Sequence, residues 1–134
     1  NANGEADSLP PRRAWSGSND FTIRQWLVET WNSKRRPPAA VSGSPEAVVV
    51  DLGKWRVGII RGQRLHGHKN GVRALLKLGP LLWSASDDGT IRIWRCSDSE
   101  CLEVVEAHEG PVNRIAIVRS SVWSAGADGT IKEW

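Results

Sequence analysis

Residues 67–94 and 107–134 carry one pattern twice, separated by 40 positions with no gap. Gly67-His68 aligns with Ala107-His108, Val72 with Val112, and Trp83-Ser84-Ala85 with Trp123-Ser124-Ala125. Asp88-Gly89-Thr90-Ile91 then aligns with Asp128-Gly129-Thr130-Ile131, and Trp94 with Trp134. A third copy without its front half runs from Trp15-Ser16-Gly17 through Asp20-Phe21-Thr22-Ile23 to Trp26. A repeat of this length is one supersecondary unit that cannot cover its own apolar face, so neighbouring copies must stack to make a core.

Each copy reads as β-structure. Leu81–Ser86 is a short apolar run with small residues, Asp87-Asp88-Gly89 is turn chemistry, and Thr90–Trp94 alternates and is rich in β-branched residues. Two strands and a tight turn make a hairpin, and 40 residues accommodate about four such strands. The aromatic usage agrees, since eight Trp against one Phe and no Tyr is what a repeated motif carrying its own Trp produces. These features predict an all-β chain, a fragment of a β-propeller built from four-stranded antiparallel blades. The hairpins 81–94 and 121–134 are expected to be equivalent.

The Gly-His pair, the Ser and Asp around the hairpin and the closing Trp resemble those of WD-repeat proteins, over residues 12–134 apart from one insertion. The resemblance implies a buried hydrogen-bonded chain in each blade: His68, Ser84, Asp88 and Trp94 in one, His108, Ser124, Asp128 and Trp134 in the next. The partial copy keeps Ser16, Asp20 and Trp26. Trp94 and Trp134 are then expected to be buried, with indole N–H groups donating to Ser84 and Ser124. The resemblance further implies a partner-facing rim at Asn19, Asp87 and Ala127, just before each hairpin Asp, and at Arg73 and Asn113, just after each first-strand Val. The dipeptide that names the family is absent, because Trp26 is followed by Leu27 and Trp94 by Arg95. Ala107 also stands where the first copy has Gly67.

The copies divide the chain into a polar N-terminal segment 1–13 and a partial propeller 14–134 of about two and a half to three blades. Its parts are a truncated first blade 14–66, a second blade 67–106, and a third, 107–134, lacking its last strand. Trp26 and Trp94 lie 68 positions apart, so the first blade carries about 28 extra residues, placed at about 27–53. The run Asn32–Pro45 is rich in Pro, Gly, Ser and Arg and is expected to be poorly ordered or to protrude as a surface loop. Val48–Val50 and Val57–Ile60 are expected to resume strand pairing. The chain contains no Met, so either processing exposed its first residue or it is a segment of something longer. Its bare outer blade faces are expected to be covered by the remainder of the propeller or by self-association.

Charge is uneven. Residues 34–80 hold ten basic and two acidic side chains, and residues 81–134 hold five and nine. The basic segment 34–73 therefore supports a second reading beside the protein-interaction scaffold. That alternative is an anion-binding module for a phosphoinositide membrane surface or nucleic acid, using Lys34, Arg35, Arg36, Lys54, Arg56, Arg61 and Arg64. Ser, His and Asp together invite a hydrolase reading, but a set that recurs in each full copy with a Trp as fourth member fits a structural network, so no catalytic residue is expected. Cys96, Cys101 and the three His lack the spacing of a metal site. No metal or other cofactor is expected. Residues 1–8 have neither the basic start nor the apolar core of a secretory leader, and a cytoplasmic location is expected, with both thiols free.

Overall fold

A computed structural model describes residues 8–134. Its elements are β1 (Ser8–Gly17), β2 (Ile23–Asn32), α1 (Ala39–Ser42), β3 (Val48–Leu52), β4 (Trp55–Leu65), β5 (Val72–Leu78), β6 (Leu81–Ser86), β7 (Thr90–Arg95), β8 (Cys101–Glu106), β9 (Val112–Val118), β10 (Ser121–Gly126) and β11 (Ile131–Glu133). They form three sheets, ordered β1-β2-β4-β3, β5-β6-β7-β8 and β11-β10-β9.

The 40-residue offset survives as strand register. Trp83 pairs with Ile93, Ser84 with Arg92 and Ala85 with Ile91 in one sheet, and Trp123 with Glu133, Ser124 with Lys132 and Ala125 with Ile131 in the next. The turns of all three copies close with the same backbone bond, from Phe21 to Ser18, Gly89 to Ser86 and Gly129 to Gly126. Each donor has a left-handed backbone, at φ 71°, 82° and 79° respectively. Glycine adopts that region freely; phenylalanine does not. Gly89 is constrained a second time, because a Cβ there would stand 2.7 Å from the His108 carbonyl oxygen. The Gly89 carbonyl in turn accepts the N–H groups of Ala107 and His108, each at 3.1 Å. The turn of one sheet thereby holds the start of the next.

Residues group into two compact units. One comprises the residues up to Trp15 together with Gln25–Gln63, and the other Ser16–Arg24 together with Arg64–Trp134. The core of the second unit is Ala85, Ile91, Ala107 and Val112, with Ala74, Trp83, Val105 and Ile115 packed against it. Small residues on one sheet receive a Val from the next. Val112 clusters with Ala85, and a Cβ on Gly17 would meet a Val72 methyl at 2.8 Å. Close packing leaves no room there for a larger side chain.

In the first unit, β3 and β4 form an antiparallel hairpin in which Val48 pairs with Ile59, Val50 with Val57 and Leu52 with Trp55. Relative to β5-β6-β7-β8, the first sheet has no counterpart of β5 among the described residues and gains β3 beyond β4. β1 begins at Ser8 and so takes in part of the polar stretch 1–13. Its Pro10 and Pro11 lie on an outermost strand, where missing N–H donors cost little. The run 32–45 is mostly exposed, and a short helix with one buried residue orders part of it. Pro38 opens α1, and Val41 is buried, with Gly58 and the Trp31 ring beside it. A Cβ on Gly58 would lie 2.7 Å from a Val41 methyl, so one apolar side chain pins the segment down.

Candidate functional site

The second sheet carries a continuous hydrogen-bonded chain. Trp94 Nε1 donates to Ser84 Oγ at 2.8 Å, and Ser84 Oγ lies 2.7 Å from His68 Nε2. His68 Nδ1 lies 2.9 Å from Asp88 Oδ2. Donor and acceptor roles follow from chemistry. The indole only donates and the carboxylate only accepts, so the Ser84 hydroxyl gives its proton to Nε2 and Nδ1–H points at Asp88. This is neutral imidazole, and burial holds His68 below its ordinary pKa, against the opposing pull of Asp88. Burial alone would raise the Asp88 pKa. Donation from the Thr90 hydroxyl, the Lys69 and Thr90 backbone N–H groups and His68 outweighs that and holds it at about 2. Ser84 is 0% exposed. A nucleophile sealed in this way reaches no substrate, and every member of the chain has a partner, as a structural network requires.

The third sheet repeats the geometry. Trp134 Nε1 donates to Ser124 Oγ at 2.9 Å, Ser124 Oγ lies 2.8 Å from His108 Nε2, and His108 Nδ1 lies 3.1 Å from both Asp128 oxygens. Backbone and hydroxyl donation from Thr130 leads the effects that hold the Asp128 carboxyl well below its ordinary range. Burial differs, however. Trp94 is 2% exposed, but Trp134 is 39% exposed, contrary to the expectation that both are buried. β8 lies alongside β7 and covers Trp94, whereas the third sheet has no strand beyond β11 among the described residues. In the partial copy, Ser16 lies on β1 and Trp26 on β2. Asp20 accepts from the Thr22 hydroxyl at 2.6 Å and the Thr22 N–H at 3.0 Å, and this hydroxyl donation is the main cause of its lowered pKa.

A Thr is a further member of each network. Thr22, Thr90 and Thr130 all hydrogen-bond the hairpin Asp, and Thr90 and Thr130 also touch the His Nδ1, at 3.2 and 3.0 Å. The signal was present as a Thr two residues after each Asp.

The rim residues gather in the second unit. Val72 pairs with Ser86 and Ala74 with Ala85, so Arg73 is the extra residue of a β-bulge. Val112 pairs with Gly126 and Arg114 with Ala125, so Asn113 is the extra residue of the same bulge 40 positions later. A bulge bends its strand and re-aims the unpaired side chain. Arg73 and Asn113 line one open groove of about 430 Å³ with Ala74, Leu75, Arg114 and Ile115. Arg73 Nε also donates to Asp87 Oδ1. Asn19 and Asp87 flank Gly71, where a Cβ would lie 3.2 Å from Asn19 Oδ1 and 3.4 Å from Asp87 Oδ2. The Asp87 and Ala127 backbone N–H groups bond the carbonyls of Gly71 and Pro111, so these two residues occupy equivalent places. Arg114 was not singled out in the sequence, because its place in the groove depends on the bulge.

The WD domain, G-beta repeat family model matches residues 61–95 and 99–134. The WD repeat-containing protein pop1 of Schizosaccharomyces pombe is 35% identical over 116 residues, which is 87% of this chain and 14% of pop1. The DENN domain and WD repeat-containing protein SCD1 of Arabidopsis thaliana is 30% identical over 121 residues, covering 80% of this chain and 10% of SCD1. The human DDB1- and CUL4-associated factor 13 is 40% identical over 55 residues, covering 38% of this chain and 12% of that protein. The chain thus spans a small fraction of the length of these relatives.

Proposed function

Because this chain belongs to the WD domain, G-beta repeat family, we propose that it works as a protein-interaction scaffold, one propeller segment of a larger protein, rather than as a catalyst. The observation that carries the reading is the repeated bulge. It frees Arg73 and Asn113 from strand pairing at matching places and leaves them exposed on one groove. Arg is enriched at the centres of protein interfaces, and polar side chains around it suit their rim. Asn19, Asp87 and Ala127 extend the same surface. One relative's name describes association with DDB1 and CUL4, and an assembly role of that kind fits a chain whose repeated polar groups serve structure. The outer sheet faces are covered in this reading by the remainder of the propeller or by a second copy. Among the described residues no helix is long and apolar enough to cross a membrane, and Cys96 and Cys101, which form no disulfide, fit a reducing compartment such as the cytoplasm.

Affinity purification of the full-length protein with quantitative mass spectrometry tests the reading. Arg73→Ala/Asn113→Ala is expected to deplete the co-purifying proteins about tenfold, the effect of losing about 1.4 kcal/mol at an interface, without lowering the melting temperature. An unchanged set of bound proteins overturns it.

A further inference from the structure

Phe21 is the costliest residue in the three equivalent turns. It takes φ 71° where the later copies place Gly89 at 82° and Gly129 at 79°, and a bulky side chain is strained in that region. Burial does not offset the strain, since Phe21 is 45% exposed. Arg119 also takes this region, at φ 56°, where the copy before it has Gly79 at 57°. Its charged group is well solvated, however, whereas an exposed phenyl ring gains nothing from water. Phe21 is also the only Phe in the chain, so the repeat itself does not require an aromatic there.

The neighbouring copies do not claim this position either. The nearest atoms that a Cβ on Gly89 would meet all belong to the following copy, at His108 and Gly110. For Phe21 the following copy is present, and its Val72 N–H donates to the Ser18 carbonyl at 3.0 Å. Gly129 has a preceding copy, yet a Cβ there would meet nothing within 4 Å. By the repeat, a further sheet ahead of the first leaves the place of Phe21 open as well.

The surroundings of Phe21 are rim residues. Asn19 stands two positions before it, and the side-chain oxygens of Asn19 and Asp87 meet over Gly71. Arg73 in turn donates to Asp87. Strain kept at an exposed position points to function rather than stability. An aromatic ring near Arg and small polar side chains has the composition of an interface hot spot. We propose that Phe21 is the apolar anchor of the rim, seated on binding in an apolar socket of a protein partner whose bordering polar groups meet Asn19. Resting on the protein-interaction reading, this anchor supplies the large apolar contact that Asn19, Arg73, Asp87, Asn113 and Ala127 lack. A lipid surface is a poorer fit, because Ser18, Asn19 and Asp20 beside the ring offer it no further apolar area.

Affinity purification of the tagged full-length protein tests the proposal, with the set of proteins that the unaltered protein retains as the probe. Phe21→Gly and Phe21→Asn both relieve the turn, since Gly and Asn accept the left-handed region, and both remove the ring. Each is expected to raise the melting temperature and yet deplete the retained set about thirtyfold, the loss typical of a hot-spot residue. A purely structural residue would move stability and binding in the same direction. Phe21→Tyr keeps a ring on the strained turn and should retain most of the set. A benzoylphenylalanine placed at position 21 should photo-crosslink to the proteins that Phe21→Gly loses. Arg73→Ala/Asn113→Ala tells the two ideas apart. Depletion by that pair with full retention by Phe21→Gly overturns the anchor alone. Depletion by Phe21→Gly and Phe21→Asn but not by the pair supports the anchor and overturns the placing of the partner on Arg73 and Asn113. Retention by all of them overturns both. A lowered melting temperature in Phe21→Gly, depletion by Phe21→Tyr equal to that by Phe21→Gly, or crosslinks to lipid alone would likewise overturn the anchor.

Discussion

The second and third sheets hold the same polar chain in nearly the same geometry, yet Trp94 is sealed and Trp134 is more than a third exposed. Hydrogen bonding inside a hairpin is therefore a local property, set by the register of two adjacent strands. Burial of the same indole is a property of what lies next to the hairpin. The indole-to-hydroxyl bond forms without the cover, and the cover supplies the apolar burial.

The largest expected effect tests this separation. Trp94→Ala should cost about 3–5 kcal/mol in urea unfolding, the range for truncating a buried aromatic. Trp134→Ala should cost well under half as much in residues 1–134 alone, and about as much in the full-length protein if the remainder of the propeller covers it. Equal losses in residues 1–134 alone would show that a second copy covers Trp134. The next effect concerns the proton. His68 and Asp88 both release a proton more readily folded than unfolded, so the unfolded chain binds more protons in each window and stability rises with pH there. On acidification, a first loss is expected below 6.5 and a second as pH falls from 3.8 towards about 2. The second amounts to about 2 kcal/mol by linkage. His68→Ala should cost about 1–3 kcal/mol by stranding Ser84 and Asp88. It should also remove the upper step from a plot of urea midpoint against pH, whereas an unchanged plot would place the acid sensitivity elsewhere. The smallest effect lies in the turns. Phe21 occupies the left-handed conformation that Gly89 and Gly129 take at equivalent positions, and its side chain is exposed. Phe21→Gly should raise stability by about 1 kcal/mol or less, read as a higher melting temperature.

How much of this the sequence disclosed depends on whether a feature lies within one repeat or between repeats. The strand positions and hairpin register follow from alternation, turn residues and the constant offset, all of which are local. The hydrogen bonds among His68, Ser84, Asp88 and Trp94 fall on positions that the same offset picks out, and the matching Thr was there to be read as well. The exposure of Trp134 departs from expectation because it depends on a neighbouring strand that no residue at 134 encodes. Val41 was missed because a single apolar residue in a run of Pro, Ala, Ser and Gly gives no periodic signal, and only its fit against Gly58 and Trp31 makes it an anchor. The bulges at Arg73 and Asn113 were invisible for a similar reason, since a register shift exists only against a partner strand.

Those bulges also make two jobs of one strand separable. Val72 and Ala74, like Val112 and Arg114, hold the ladder on either side, so the residue between them carries no pairing duty. The two sheets already use that freedom, with a long cation in one socket and a short amide in the other. Such a position can be randomised or drift over evolutionary time without disturbing the architecture that displays it. In the rim reading proposed above, a chain assembled from these repeats is a rack of interchangeable recognition elements, whose vocabulary can change while the frame stays still.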